Sequence, residues 1–477
     1  YAVDGLDAAA HSLDVERVRR LSRDERRVGW TSVLVPGLPA GLELAHRTWG
    51  ARPWAENFAP AIKLAREGFL VLPKTRDQFA EQEKKLRGGD PEIAKWYLPG
   101  GKLPAAGSRL ANEDLARSLE LIAKDGAAAF YRGSIAAAIA AGSKRHGGFI
   151  TADDLAKYQA RIVEPLTTEV FGHQIAGGPA PTTGVALYAT ILKALEIETW
   201  SPGPMRTPEN LHRVGKVWQQ VQPLVSARIA DVPGAAAAAN QLLGADSIAE
   251  IRRKAGNAPR SAAWSPDAAL RGLELDYDEE PLAASTTHFV VVDAKGNVVS
   301  CTQSTSLHFG AGVVAPGTGI VLNDTLSNFG VTNAKSANMV APGKRARSTT
   351  SPTILFRDGR PVLAIGVPGA QRIPIAMLQV LLDHLAFKRP VAEAIGDTRL
   401  HLLTPETSAE PNNQWEVERS FPDADAKALV ALGWQVRKVE AAGTGRHFGG
   451  INAIILAPDG TLTGLADPRR TNAAVGY

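Results

Sequence analysis

From about residue 285 onward, three stretches share one pattern: two apolar runs separated by a short polar turn that contains glycine. The pattern predicts β-hairpins, because apolar residues cover one face of each strand and glycine accepts the positive φ of a tight turn. The predicted hairpins are "HFVVVDAKGNVVSCT" (288–302), "TILFRDGRPVLAIGV" (353–367) and "NAIILAPDGTLTGLAD" (452–467). An apolar helix, "IPIAMLQVLLDHLAF" (373–387), is predicted between the second and third.

The first half of the chain is predicted to be mostly helical. "NEDLARSLELIAKDG" begins with Asn112 as N-cap and ends at Gly126, and "TADDLAKYQ" begins with Thr151, three residues before Asp154, as in a capping box. Further predictions are a helical segment at 127–142, strands within 163–178, a helix at 185–196 and small helices with loops at 232–275. Hairpins with helices before and between them indicate an α+β fold, with sheets packed face to face and helices outside. No repeat or long linker divides the chain, so we expect one structural domain.

Composition and charge exclude several classes of protein. The 477 residues are 44% hydrophobic and 21% charged, as in globular proteins, and no run approaches the roughly 18 apolar residues of a membrane-spanning helix. Net charge is +4 and the sequence pI is about 9.0. The densest basic run, 17–27, is interrupted by Asp24 and Glu25 and lacks aromatic residues for base stacking, so it is interpreted as a solvated helix face. We therefore expect no nucleic-acid partner.

Metal and cofactor chemistry has no sequence support. The single cysteine, Cys301, excludes an internal disulfide and a multi-thiolate metal site, and its place in a strand predicts a small buried residue. The ten histidines lack ligand spacing, and neither a phosphate-binding loop nor a dinucleotide fingerprint is found. We expect neither metal nor cofactor. The nucleophile elbow of the α/β-hydrolases is also missing, so a hydrolase would need another device.

One such device needs only a threonine at a chain terminus, with its hydroxyl as nucleophile and its own α-amine as general base. The α-amine has a pKa of roughly 7.7 to 8.0, so part of it is neutral near pH 7 without a histidine partner. "STTHF" (285–289) places hydroxyl residues at the start of a predicted strand. Attack of Thr286 on the carbonyl of Ser285, followed by hydrolysis, would make Thr286 a new terminus. The stretch alone is weak evidence for such a nucleophile, because threonines are common at strand starts.

Several further segments, in order along the chain, carry a family resemblance. They are "LVPGLPAGLELAHRTWGARPWAENFAPAIKLAREGF" (34–69), "FYRGSIAAAI" (130–139), "GGFITADDLAKYQARIVEPL" (147–166), "TTHFVVVDAKGNVVS" (286–300), "SPTILFRDGRPVLAIGVPGAQRI" (351–373) and "ADPRRTNAAVGY" (466–477). Through them the chain resembles the gamma-glutamyltranspeptidase family of N-terminal nucleophile hydrolases. The resemblance implies a four-layer αββα sandwich and autocatalytic cleavage between Ser285 and Thr286. The implied products are a large-subunit part, 1–285, and a small-subunit part, 286–477, which stay together as a heterodimer and one domain.

The resemblance also implies roles for individual residues. Thr286 is the implied nucleophile and base, Ser304 stands where the family has a supporting threonine, and the N–H groups of Gly369 and Ala370 form the implied oxyanion hole. A helix beginning near Arg372 would leave unpaired N–H donors there, although alanine limits φ more than the family's glycine. The implied substrate-binding residues are Ser306, Thr325, Asn328, Ser348 and Thr349.

Departures from the family pattern concern the acyl group. Leu6 replaces the arginine that holds the substrate carboxylate in the family. Leucine cannot form the paired hydrogen bonds that a guanidinium group makes with a carboxylate. Asn328 replaces an aspartate that would balance the substrate ammonium. The glycine-rich segment that precedes the family's arginine motif is not found in this chain.

Three interpretations follow. The first is an amidohydrolase or acyltransferase with a small-molecule amide substrate whose acyl group is no longer strictly gamma-glutamyl, as in the family's cephalosporin acylase branch. The second is a genuine gamma-glutamyltransferase or glutathione hydrolase, and the third is an unprocessed inactive relative or a binding protein. The resemblance alone implies a periplasmic or secreted location.

Overall fold

The computed structural model describes residues 1–257, 285–403, 413–439 and 446–476. The α-helices of these residues are α1 (Val15–Arg20), α2 (Leu38–Trp49), α3 (Ala59–Glu67), α4 (Pro73–Glu81), α5 (Glu83–Gly88), α6 (Pro91–Tyr97), α7 (Glu113–Asp125), α8 (Ala128–Tyr131), α9 (Ser134–Arg145), α10 (Ala152–Lys157), α11 (Gly184–Leu195), α12 (Pro208–Arg228), α13 (Ala235–Leu242), α14 (Ala245–Asn257), α15 (Ile373–Leu385), α16 (Val391–Gly396) and α17 (Asp423–Ala431). None of them is long and apolar enough to cross a membrane.

The strands of the described residues assemble into sheets of two, three and six strands. They are β1 (Ala2–Asp4), β2 (Phe69–Leu70), β3 (Arg109–Leu110), β4 (Arg161–Val163), β5 (Leu166–Val170), β6 (His173–Gly177), β7 (Thr287–Val292), β8 (Val298–Gln303), β9 (Thr353–Arg357), β10 (Arg360–Gly366), β11 (Leu400–Leu402), β12 (Gln414–Glu418), β13 (Gln435–Val439), β14 (Asn452–Leu456) and β15 (Leu462–Ala466). The largest sheet is antiparallel, in the order β15-β14-β10-β9-β6-β5. A second sheet, β11-β12-β13, and the pairs β1-β4, β2-β3 and β7-β8 complete the set.

The main core lies between the six-stranded sheet and the helices α11, α12 and α15. Ile175, Leu355 and Ile365 from the sheet pack there with apolar side chains of these helices, such as Tyr188 and Met377, and all five are essentially inaccessible to solvent. The β7-β8 hairpin contacts β10 and β14. The six-stranded sheet thus lies between a helical layer and a second β layer, in agreement with the predicted face-to-face packing.

The predicted hairpins and caps are confirmed in the described residues. All three hairpins form with the expected strands and turns, and the apolar helix between the last two is α15. Asn112 caps α7 by accepting a hydrogen bond from the N–H of Leu115, and Thr151 and Asp154 form the capping box of α10. Part of the predicted segment 232–275 is α13 and α14, and its remainder, from 258, lies outside the described residues.

Two local predictions were wrong in part. The basic run 17–27 does not form one helix face, because α1 ends at Arg20 and the hydroxyl and N–H of Ser22 donate to the Glu25 carboxylate in a separate turn. Cys301 is half-buried rather than buried, and burial raises the pKa of its thiol. The first difference arises because Ser22 and Glu25 form a local turn, and the second because hydropathy alone does not show which surfaces the rest of the fold covers.

Candidate active site

Thr286 and Ser304 meet at the open end of the β7-β8 hairpin, opposite its turn. The strand register pairs Thr287 with Gln303, so the next pair beyond it is Thr286 and Ser304. Their Oγ atoms lie 3.0 Å apart, within hydrogen-bond distance, and Thr286 is only 7% exposed. A buried hydroxyl therefore has one hydroxyl neighbour that can orient it.

From Ser304 a chain of hydrogen bonds reaches Asn328. Ser304 Oγ accepts from the N–H of Ser306 at 2.9 Å, and Ser306 Oγ donates to Asn328 Oδ1 at 3.4 Å. Ser306 has φ of +72°, a left-handed conformation that non-glycine residues adopt at a cost of about 1–3 kcal/mol and that is enriched at functional sites. With Oδ1 used as acceptor, the amide of Asn328 keeps its Nδ2 group as a donor.

The peptide between Ser285 and Thr286 is held on both sides. Ser285 donates its N–H to the carbonyl of Ser306 at 2.9 Å, and its hydroxyl bonds that of Thr305. Arg470 Nη1 donates to the carbonyl of Thr286 at 3.2 Å. Arg470 was missed as a site residue, although it lies in the C-terminal segment "ADPRRTNAAVGY" that carries part of the family resemblance.

Gly369 and Ala370 form a turn between β10 and α15. Ala370 begins a 3-10 helix, Ala370–Arg372, and adopts φ of +54°, so the alanine takes up the left-handed conformation despite its methyl group. Thr349 Oγ donates to the carbonyl of Ala370 at 2.9 Å and so holds this residue. No hydrogen bond from the N–H of Gly369 or Ala370 to another described residue is found, which leaves both donors for an oxyanion.

Direct contacts join the nucleophile strand to the strand that carries this turn. The side chain of His288 lies against Gly366 so closely that a Cβ at Gly366 would be 2.2 Å from its ring. Asn452 on β14 donates its amide to the His288 carbonyl at 2.7 Å. Burial lowers the pKa of His288 to about 3, so this histidine is a neutral packing element near pH 7.

The remaining predicted residues lie in two further groups. Thr325 Oγ contacts Asn323 Oδ1 at 2.8 Å and Asp7 Oδ2 at 3.1 Å, which ties it to the start of the chain. Ser348 bonds Thr350 through its hydroxyl and accepts from the N–H of Thr183 at its carbonyl. Hydrogen bonds within the described residues therefore connect the predicted site residues in separate groups, and none links Thr286 directly to Ser348, Thr349 or Ala370. Asp7 was missed, and its only signal was its place beside Leu6 in the altered arginine motif.

The surroundings of Leu6 show what replaces the arginine motif. Arg345 lies next to the Leu6 carbonyl, but its Nη1 contacts the Asp4 carboxylate at 3.0 Å and the Tyr158 hydroxyl at 3.0 Å. Its Nη2 donates to the carbonyl of Gln159 at 2.6 Å. This neighbouring guanidinium is therefore occupied by internal partners and could bind a substrate carboxylate only by breaking them.

Asp324 is a buried acid beside this site. It is inaccessible to solvent, its Oδ1 accepts the N–H of Leu307 at 2.9 Å, and burial raises its pKa to about 7, although the charge of Lys85 opposes the shift. A carboxyl whose pKa is raised by folding stabilises the native state below its unfolded pKa of about 3.9, and this stabilisation is lost as pH rises through about 7.

Asp324→Asn should therefore reduce the loss of stability between pH 5 and pH 9, by at most about 3 kcal/mol, because the amide does not ionise. Urea unfolding at both pH values measures this, with Asp459→Asn on the exposed β14-β15 turn as control. If Asp324→Asn and the wild type lost the same stability between pH 5 and pH 9, the raised pKa of Asp324 would be contradicted.

Comparison with known proteins places this chain in a family. The gamma-glutamyltranspeptidase family model matches residues 1–477. The Acylase ACY 1 proenzyme of Pseudomonas sp. (strain SE83) is 32% identical over 449 residues, 94% of this chain and 76% of that protein. The glutathione hydrolase proenzyme of Bacillus subtilis (strain 168) is 29% identical over 470 residues, 97% of this chain and 77% of that protein.

Among solved structures, the cephalosporin acylase from Bacillus halodurans superposes with a TM-score of 0.85 at 25% identity, over 100% of this chain and 84% of that one. The fold is that of the N-terminal nucleophile hydrolases, which confirms the predicted αββα class. The chain belongs to the gamma-glutamyltranspeptidase family. It is thus an enzyme, an autoprocessing hydrolase or acyltransferase of that family, as predicted.

Proposed function

We propose that this enzyme hydrolyses amides through Thr286 and that its acyl group is glutaryl-like or bulkier rather than gamma-glutamyl. The observation that carries the proposal is the pairing of Thr286 Oγ with Ser304 Oγ at 3.0 Å at the open end of the hairpin. The resemblance assigns the nucleophile to this same threonine.

Processing comes first in the proposed mechanism. Thr286 Oγ attacks the carbonyl carbon of Ser285, its proton passes to the departing peptide nitrogen, and the peptide becomes an ester. Water then cleaves the ester and leaves Thr286 with a free α-amine. The contacts of Ser285 with Ser306 and Thr305, and of Arg470 with Thr286, support this step because they fix both sides of the scissile bond.

Turnover uses the same hydroxyl. The α-amine of Thr286 takes the hydroxyl proton as Oγ bonds to the substrate carbonyl carbon, and the N–H groups of Gly369 and Ala370 receive the oxyanion. The C–N bond then breaks, the leaving amine takes the proton, and water or an acceptor amine resolves the acyl-enzyme. The two cleaved parts, 1–285 and 286–477, stay associated as a heterodimer because β6 of the first part pairs with β9 of the second within the six-stranded sheet, and α11 packs on α15.

The acyl preference follows from charge. Leu6 supplies no cation, Arg345 is occupied by Asp4, Tyr158 and Gln159, and Asn328 supplies an amide instead of a carboxylate. A substrate ammonium therefore lacks the anionic partner that the family's aspartate provides, which is a loss of about 1.5–3 kcal/mol. An acyl tail without the ammonium group, such as glutaryl, avoids this loss, and its carboxylate can accept a hydrogen bond from the Asn328 amide.

We expect glutaryl-p-nitroanilide to be hydrolysed with a kcat/KM about 10–100-fold above that of gamma-glutamyl-p-nitroanilide, because the two differ only in the ammonium group. Initial rates with both substrates on the processed enzyme measure the ratio. Asn328→Asp should shift the ratio toward the gamma-glutamyl compound. A wild-type preference for the gamma-glutamyl compound would instead favour the glutathione hydrolase function.

We further propose a periplasmic or secreted location, on the family resemblance alone. Detection of the processed protein in periplasmic or culture fractions of its native host tests this.

A further inference from the structure

The turn that carries Gly369 and Ala370 ends at an arginine whose side chain is buried. Arg372 donates its N–H to the carbonyl of Gly369 at 3.0 Å and so closes the turn. Its guanidinium is 9% exposed and donates through Nη2 to Glu416 Oε2 at 3.0 Å. Arg372 therefore connects the backbone of the turn to a carboxylate on β12, more than 40 residues along the chain.

Glu416 is the centre of a buried charged cluster. It is inaccessible to solvent and also contacts Arg437 and, at 2.8 Å, His447 Nε2. Burial alone would raise the pKa of Glu416, but the hydrogen bond with His447 and the charge of Arg372 hold it well below its usual range. These contacts therefore favour the charged form of the carboxylate, in which it pairs with Arg372.

His447 contributes as a neutral donor to this cluster. Burial lowers its pKa and the charge of Arg372 adds to the shift, while Glu416 opposes it. Its Nε2 also lies 3.1 Å from Arg372 Nε, but one ring nitrogen cannot donate and accept at once. The contact with Glu416 is the shorter of the two and has a charged acceptor, which makes it the stronger. We therefore place a proton on His447 Nε2 and let it donate to the Glu416 carboxylate.

The backbone after His447 packs closely against the turn. Gly449 has φ of +79°, and a Cβ there would be 2.4 Å from the carbonyl oxygen of Pro368. A Cβ on Gly369 would be 3.2 Å from the Cα of Gly449. The backbone after His447 therefore touches the backbone just before Ala370, and the cluster and this contact hold the same turn from two directions.

We propose that Glu416, through Arg372 and with His447, is a positioning residue that holds the Gly369 and Ala370 N–H groups in the geometry an oxyanion needs. The inference rests on the proposed function, because it deepens the role assigned to those two N–H groups. Glu416 touches no reacting atom and acts only through Arg372. An oxyanion donor displaced by about 1 Å loses much of its effect, so the cluster should influence kcat more than substrate binding.

Glu416→Gln tests this, because it keeps the shape of the side chain and removes its charge. We expect kcat to fall about 10–100-fold with KM changed less than about twofold, since the donors act in the transition state. Arg372→Lys, which replaces the guanidinium group with a single ammonium, should lower kcat to a similar extent with little change in KM. His447→Gln should lower kcat less.

Asp383→Asn is the matched control. Asp383 is also a fully buried carboxylate paired with a buried arginine, Arg206, but it lies at the other end of α15, about 16 Å from Arg372. It should lower the melting temperature as Glu416→Gln does and leave kcat within about twofold. Equal kcat values in Glu416→Gln and Asp383→Asn would overturn the positioning role.

Hydrogen exchange supplies a readout that does not depend on turnover. The peptide spanning 366–372 should exchange faster in Glu416→Gln than in the wild type and should be unchanged in Asp383→Asn. Unchanged exchange in Glu416→Gln would overturn the positioning role whether or not the protein is active. A wild-type protein that is neither cleaved before Thr286 nor active on any amide would instead overturn the proposed function.

Discussion

Thr286→Ala is expected to remain a single chain of 50.5 kDa and to lose amidase activity by on the order of 10⁴-fold or more. Both losses have one cause, because the proposed mechanism uses the same hydroxyl to cleave the Ser285–Thr286 peptide and then to attack the substrate. The remaining donors, Ser304 and the turn at Gly369, cannot replace a nucleophile. Intact mass under denaturing conditions and p-nitroanilide hydrolysis measure the two effects.

Thr286→Ser is the matched variant, since it keeps the hydroxyl and removes only a methyl group. It should still divide into two chains, with the smaller beginning at residue 286, and retain measurable turnover. Thr287, the next residue, is exposed, so Thr287→Ser should be processed like the wild type. An alanine variant at 286 that still splits into two chains would contradict the assignment of the nucleophile.

Gly366→Ala is expected to destabilise the protein by about 1–3 kcal/mol, because the added Cβ would lie 2.2–2.5 Å from three atoms of the His288 ring. Neither side can move easily, since Gly366 is in β10 and His288 is 2% exposed between the two β layers. The midpoint of urea unfolding, measured in the Thr286→Ala background so that one continuous chain unfolds, gives the change.

Gly88→Ala in α5 is the control, because a Cβ there meets no atom within 4 Å and alanine favours helix. It should be neutral or slightly stabilising. Combining Gly366→Ala with His288→Ala removes the ring that the new methyl group meets, so the two changes should together cost less than their sum. Strict additivity, or no effect of Gly366→Ala, would show that the two β layers are not packed as described.

Much of the local structure was predictable from the sequence. The hairpin turn at 293–297 fixes which residues face each other, so the pairing of Thr286 with Ser304 follows from the same register. The cap at Asn112 and the capping box at Thr151 were recognised because the groups that bond are three residues apart. The family resemblance then identified the stretch that these local patterns could not distinguish from an ordinary strand start.

Two features were predicted wrongly in part, one set by a local turn and the other by distant neighbours. The run 17–27 contains good helix formers, yet Ser22 and Glu25 end the helix early with a local turn. The half-exposure of Cys301 depends on what covers β8. Hydropathy describes a residue's preference for burial, whereas the area actually covered depends on the rest of the chain.

By itself, the sequence determined several helices, the three hairpins of the second half, the family and the threonine on which the proposed chemistry depends, because each is encoded by neighbours in the chain or by motifs in order. Only the tertiary structure showed that Arg345 is occupied beside Leu6, that Asp7 reaches Thr325, and that Glu416 holds Arg372 behind the turn. These partners are 44 to 341 residues apart along the chain. These contacts form because sheets and helices from distant parts of the chain pack together. A local pattern of residues does not show which distant residues will be packed against each other.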